Sequence, residues 1–267
     1  MLELKHFAVG YGENTLLQIG QLAFEKGQIS TILGSNGKGK TTLLRAMAGL
    51  LPYRGSVCAD GQEISALSHR VRAHVIAYLP QTLTAPDMDV YTLVSHGRFS
   101  RLGRSKTLGE NDRTAIRAAM EQTGVWELRE RTCKTLSGGQ KQCAYLAMAM
   151  AQDTPYLLLD EPDTFLDTAH RLHVQQILRT LADSGKGIVT VSHDIAAAFS
   201  DSDCLCLLGN KGGVVYATPQ SLLENHALPT LLGVGVVPVQ DERLLYPYAL
   251  SKETFYADLS SAEPQQS

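Results

Sequence analysis

The chain has 267 residues, 44% of them hydrophobic, enough to enclose a full core in one or two domains. A formal net charge of −3 and a pI near 6.2 give no global basic field, which argues against nucleic acid as the partner. The first residues carry no basic region followed by an apolar run, and no stretch reaches the ~18 apolar residues that span a bilayer, so a soluble, cytoplasmic protein is expected.

In chain order, strands are predicted over residues 2–9, 20–24 and 27–33, punctuated by Gly10, Gly12, Gly20 and Gly27. A helix follows from Thr42 to about Leu50 and stops before Pro52. A strand-rich stretch over about 55–79 leads to Gln81. Residues 90–151 read as helical: 107–124 has apolar positions at helical spacing, and 137–150 is rich in Ala, Leu and Met. Residues 156–159 and 187–191 have the length and apolar character of buried parallel strands, with a helix over about 168–181 between them. Residues 216–248 hold β-rich pieces and turn residues, and 260–267 form a polar tail.

The five cysteines, odd in number and without framework spacing, fit a reducing compartment. Cys204 and Cys206 would project from one face of a strand, which permits a shared metal, although two ordinary buried thiols account for the pattern. His170 and His173, three apart on a helix, permit a metal clamp or a solvated face.

The chemistry concentrates in two places. Gly34, Ser35, Asn36, Gly37, Lys38, Gly39, Lys40 and Thr41 match the Walker A pattern between an apolar strand and a helix that includes Thr42. Glycines let the backbone wrap phosphate oxygens, and the helix N-terminus adds positive potential. Lys40 is expected to reach the β- and γ-phosphates of ATP, and Thr41 to ligate Mg²⁺. Lys38 adds a charge within the loop. Residues 156–161 have the Walker B form, an apolar strand delivering Asp160 and Glu161 at its C-terminal end. Asp160 is expected to hold Mg²⁺ and Glu161 to act as general base on the attacking water. His193, at the end of the next apolar run, is placed to reach the γ-phosphate. A second glycine-rich turn, Leu136-Ser137-Gly138-Gly139-Gln140, opens a helix just before the acidic strand.

With these residues the sequence resembles the ATP-binding-cassette family over nearly its whole length. The resemblance implies an α/β fold with a P-loop NTPase (RecA-like) core, an N-terminal antiparallel β subdomain and an inserted helical subdomain over about 82–152. The ATPase domain would cover 1–220, with a short C-terminal extension over 221–267. It further implies that Ser137, Gly138, Gly139 and Gln140 form the signature, which caps the γ-phosphate held by a second subunit. Gln81 matches the Q-loop that links the Mg²⁺ site to the helical subdomain. Asp167 matches the D-loop aspartate at the dimer interface, and Tyr11 the aromatic that stacks on adenine.

Residues 160–170 and 90–98 resemble the importers of iron–siderophore, haem and cobalamin complexes. That resemblance implies a homodimeric ATPase under integral membrane permease subunits, at the cytoplasmic face of the membrane and served indirectly by a substrate-binding protein. The alternative is a soluble cassette ATPase in iron–sulfur assembly or another non-transport role. Asp163 departs from the usual Thr or Ser, and its charge beside Glu161 is expected to raise the proton affinity of that base, so that Asp163→Thr speeds hydrolysis. Cys143 stands where the family often has Arg. The basic run Arg98, Arg101, Arg104 and Lys106 reads equally as solvated surface or as a face turned to the permease and membrane.

Overall fold

Alternating apolar residues put Leu2, Leu4, Phe7 and Val9 on one side of β1 (Leu2–Tyr11), which pairs antiparallel with β2 (Asn14–Phe24). The computed structural model describes residues 1–12, 14–102, 107–164, 166–209, 213–224, 227–238 and 248–251. β3 (Ile29–Gly34) delivers the phosphate loop to α1 (Lys40–Met47). β4 (Arg54–Ala59) and β5 (Gln62–Glu63) complete an antiparallel sheet in the order β2-β1-β4-β5. After α2 (His69–Arg72) and β6 (Ile76–Leu79) come three helices, α3 (Val90–Ser95), α4 (Glu110–Gln122) and α5 (Gly138–Ala151). β7 (Tyr156–Asp160), α6 (Thr168–Asp183), β8 (Gly187–Val191), α7 (Ile195–Asp201) and β9 (Cys204–Leu208) then build the core. The described chain finishes with β10 (Val214–Ala217), α8 (Pro219–Glu224), α9 (Ala227–Leu232) and the hairpin β11 (Gly235–Pro238) and β12 (Tyr248–Ser251).

The central sheet runs β10-β9-β3-β8-β7-β6, parallel except for β10. Its inner strands β3, β7 and β8 are buried on both faces, which explains why β7 and β8 read as unbroken apolar runs. Along β7, Tyr156 and Leu158 face the N-terminal sheet and α1, while Leu157 and Leu159 face the helical layer with α5 and α6. A fully buried Leu or Ile at such positions contributes about 1.5–3 kcal/mol. The RecA-like core, antiparallel β subdomain and inserted helices are thus all present.

The structure corrects several boundaries. Gly10 and Gly20 lie inside β1 and β2 rather than in breaks; a Cβ at Gly20 would meet open space, so glycine there interrupts nothing. The first core helix starts at Lys40, not Thr42, and the 55–79 stretch contains α2. The C-terminal stretch, expected as β pieces, also forms α8 and α9, whose Leu222 and Leu228 close a small core with Leu33, Phe199, Leu205 and Leu207.

The basic run resolves differently from both expectations for the part that is described. Arg98 is buried: its Nε donates to Asp112 Oδ1 at 2.9 Å and its Nη1 to the Ala151 carbonyl at 2.9 Å. Arg101 Nε donates to the Gln152 carbonyl at 3.1 Å. These two arginines clamp the end of α5; Arg104 and Lys106 lie outside the described residues.

Candidate active site

The loop between β3 and α1 needs glycine where φ is positive, at Gly37 (79°) and Gly39 (87°), and a side chain at Gly39 would also strike Leu16. It walls a cleft of about 410 Å³ together with Leu16, Gln81, Glu161 and His193. Asn36, Lys38, Thr41 and Thr42 line it as well, so most of the predicted loop residues face one space. Lys40 is only 6% exposed; its Nζ donates to the Gly34 carbonyl at 2.6 Å and approaches the Ser35 carbonyl at 3.5 Å. Burial pushes its ammonium down from the usual lysine range, opposed by the charges of Glu161 and Asp160. Tyr11 is exposed, with its Oη 3.5 Å from Thr42 Oγ1, so its ring stands at the edge of the loop.

Asp160 ends β7 fully buried. Its Oδ1 accepts from Thr41 Oγ1 at 3.2 Å, and its Oδ2 has no hydrogen-bond partner among the described residues. Burial raises its proton affinity, Thr41 opposes this and Glu161 adds to it. A buried carboxylate oxygen left open beside a loop hydroxyl is what a hard divalent cation requires, so Thr41 and Asp160 fit Mg²⁺.

Glu161 adopts φ 52°, a left-handed conformation that costs a non-glycine residue about 1–3 kcal/mol. Several contacts hold it there. Its N–H donates to the Val191 carbonyl at 3.2 Å and its carbonyl accepts from Thr164 N at 3.3 Å. Oε2 accepts from Gln81 Nε2 at 2.7 Å and from Thr164 Oγ1 at 3.1 Å, while Oε1 contacts His193 Nε2. Gln81 and His193 are therefore brought together on the two oxygens of one carboxylate. Thr164 was not singled out in the sequence; its place in the turn after Asp160-Glu161 is the signal that points to it.

The signature residues stand apart from this cleft. Ser137 caps α5, its Oγ accepting from Gln140 N at 3.2 Å while Gln140 Oε1 accepts from Ser137 N at 3.1 Å, a reciprocal capping box. Because Ser137 Oγ accepts there, its own O–H is left to donate outward. Gly138 lines a second groove with Gln81, Leu83, Lys141 and Thr164, on the helical side of the Walker B loop, and Gly139 opens the same helix turn. Asp167 caps α6, accepting from His170 N at 2.9 Å, and is exposed; that hydrogen bond lowers its proton affinity.

The departures from the family pattern also take their places. Asp163 turns into a cavity of about 50 Å³ lined by Thr31, Thr190, Ser192 and Asp201. Burial is the main influence raising its proton affinity, and the charges of Asp194 and Glu161 add to it. Cys143 is buried against the helical layer, where burial pushes its thiol up. Cys206 is fully buried, its thiol pushed up to about 12, whereas Cys204 is half-buried with its Sγ 3.9 Å from Gln28 Oε1. His170 is exposed and contacts Asp167, and among the described residues no group of three or more ligating side chains is assembled.

A P-loop, a buried Walker B aspartate and a strained glutamate between glutamine and histidine define a nucleotide hydrolase of the P-loop class, on a core that also carries a signature helix. The family model for ABC transporters matches residues 17–164, and the chain belongs to that family, with its ATPase activity. It is 36% identical over 254 residues to the iron(3+)-hydroxamate import ATP-binding protein FhuC of Bacillus subtilis, covering 94% of each chain. It is likewise 36% identical over 260 residues to the hemin import ATP-binding protein HmuV of Gloeobacter violaceus, again covering 94% of each. Among solved structures, the dimeric structure of a bacterial ABC transporter cassette superposes with a TM-score of 0.72 at 25% identity, over 82% of this chain and 99% of that one.

Proposed function

We propose that this chain is the ATP-hydrolysing motor subunit of an importer for an iron–siderophore or a related metal chelate such as haem or cobalamin. It works as a homodimer docked on separate integral membrane permease subunits at the cytoplasmic face of the membrane, fed indirectly by a substrate-binding protein. The likeness to hydroxamate and hemin importers over 94% of both chains supports the cargo class over the iron–sulfur assembly alternative. The ATPase domain takes in residues 1–220 and the extension begins near α8.

The observation that carries the mechanism is the held Glu161 carboxylate, with Gln81 and Thr164 on one oxygen and His193 against the other. The loop amides from Gly34 to Thr42 and Lys40 take the β- and γ-phosphates of ATP, and Tyr11 stacks on adenine. Thr41 and Asp160, with Gln81 nearby, would hold Mg²⁺, which when bound would supply charge neutralisation on the phosphates. Glu161 receives the proton of the attacking water, and His193 reaches the γ-phosphate while bridging to the base. Ser137 to Gln140 sit outside the cleft of their own chain and serve ATP held by the partner, where Asp167 crosses the interface. ATP thus binds the closed dimer more tightly than the open monomers, which is the differential affinity that drives closure.

Glu161→Gln keeps the side chain's shape and removes its basicity. The variant should bind ATP with unchanged affinity, accumulate as an ATP-held dimer on size exclusion, and hydrolyse ATP at background rate. A variant that stays monomeric with saturating ATP, or that still turns over, refutes these roles.

A further inference from the structure

Gln142 is a glutamine in the interior of α5, only 4% exposed, where an amide is retained at a cost unless it is bonded. Its Nε2 donates to the carbonyl of Pro162 at 2.9 Å, and that bond is itself buried. Pro162 immediately follows Glu161, whose left-handed φ of 52° needs the surrounding chain to fix it. Proline has no N–H, so its carbonyl is the backbone handle available on that residue. The amino end of α5 meets the same loop at a second point, because a Cβ on Gly139 would stand 3.3 Å from Leu166 Cδ2.

The helix that begins with Ser137 is therefore fastened, within one chain, to the loop that carries Glu161 and Asp167. We propose that Gln142 is a positioning residue for hydrolysis: it transmits the seating of the signature helix on one ATP to the orientation of the base at the other. This rests on the dimeric reading above, in which Ser137 serves the partner's nucleotide and Glu161 the chain's own. When α5 shifts on docking, the Pro162 peptide shifts with it, and the Glu161 carboxylate turns relative to Gln81 and His193. The two sites of a dimer are then cross-linked twice, once through each chain's Gln142.

The test uses the full chain with Gln142→Met, which keeps the volume and removes the donor, and with Gln142→Glu, which keeps the shape and places an acceptor against the carbonyl. Both should lower kcat for ATP about five- to tenfold with KM within about twofold, and reduce the Hill coefficient toward one. Combined with Glu161→Gln, each should still form the ATP-held dimer, as a merely structural prop would not. A kcat within about twofold of the unmodified chain in both variants overturns the proposal, and so does a fall in kcat matched by loss of that dimer. If Glu161→Gln alone gives no ATP-held dimer, the dimeric reading fails first, independently of Gln142.

Discussion

Replacing Asp201 by asparagine changes the charge of the small cavity behind the end of β7 without changing its shape. Asp201 lies on α7 facing the space shared with Asp163, and its proton affinity is raised, to a pKa of about 6 from an ordinary 3.8, by burial first and then by Asp194 and Asp163. Asp194 is itself paired with Arg171, whose Nη1 lies 3.1 Å from its Oδ2, and Gln175 Nε2 donates to Asp201 Oδ2. The folded chain keeps a proton between pH 3.8 and about 6 that the unfolded chain has released, so stability falls as pH rises through that window, and the penalty is complete above it. Undiscounted, that penalty is about 3 kcal/mol; partial solvent access reduces it to about 1–2 kcal/mol. Asparagine cannot ionise and still offers Gln175 an acceptor. Thermal unfolding of Asp201→Asn should therefore rise by about 2–6 °C near pH 7.5 and by about half as much near pH 5. An equal gain at both pH values, or a loss near pH 7.5, would refute the reasoning.

Arg98→Ala removes bonds to Asp112 and to the Ala151 carbonyl and leaves both partners short of a donor; urea unfolding should show a loss of about 2–4 kcal/mol, and a loss under about 0.5 kcal/mol would mean the clamp is idle. Asp163→Thr, expected from sequence to speed hydrolysis, should instead leave kcat within about twofold, because burial and not Glu161 governs that carboxyl; an increase above about threefold would restore the repulsion argument.

The phosphate loop and the acidic strand end were legible because their residues announce themselves by type and order. Gly37 and Gly39 are needed for a backbone turn that other residues resist, and Asp160 ends, with Glu161 directly after it, a strand whose apolar run is buried throughout. Pairwise destinations were not legible. Arg98 reads as surface because arginine usually is, and only the fold brings Asp112 and the end of α5 to meet it. Asp163 stands two residues from Glu161 in sequence, yet the left-handed turn at Glu161 sends its carboxyl toward α7. The short α8 and α9 were not legible because a helix of six residues, with a proline in its first turn in both cases, offers too few turns for a period to show.

The clamp on α5 also has a consequence in leverage. Fourteen helical residues make a rod about 21 Å long, held at its carboxyl end by Arg98 and Arg101 and carrying the signature at the other. A tilt of about 5° around the held end moves the far end by about 2 Å. A hydrogen bond tolerates only about 0.5 Å in length. In the proposed closed dimer, a signature seated on the partner's phosphate is therefore sensitive to small tilts of this rod, and the arginines at its far end limit them.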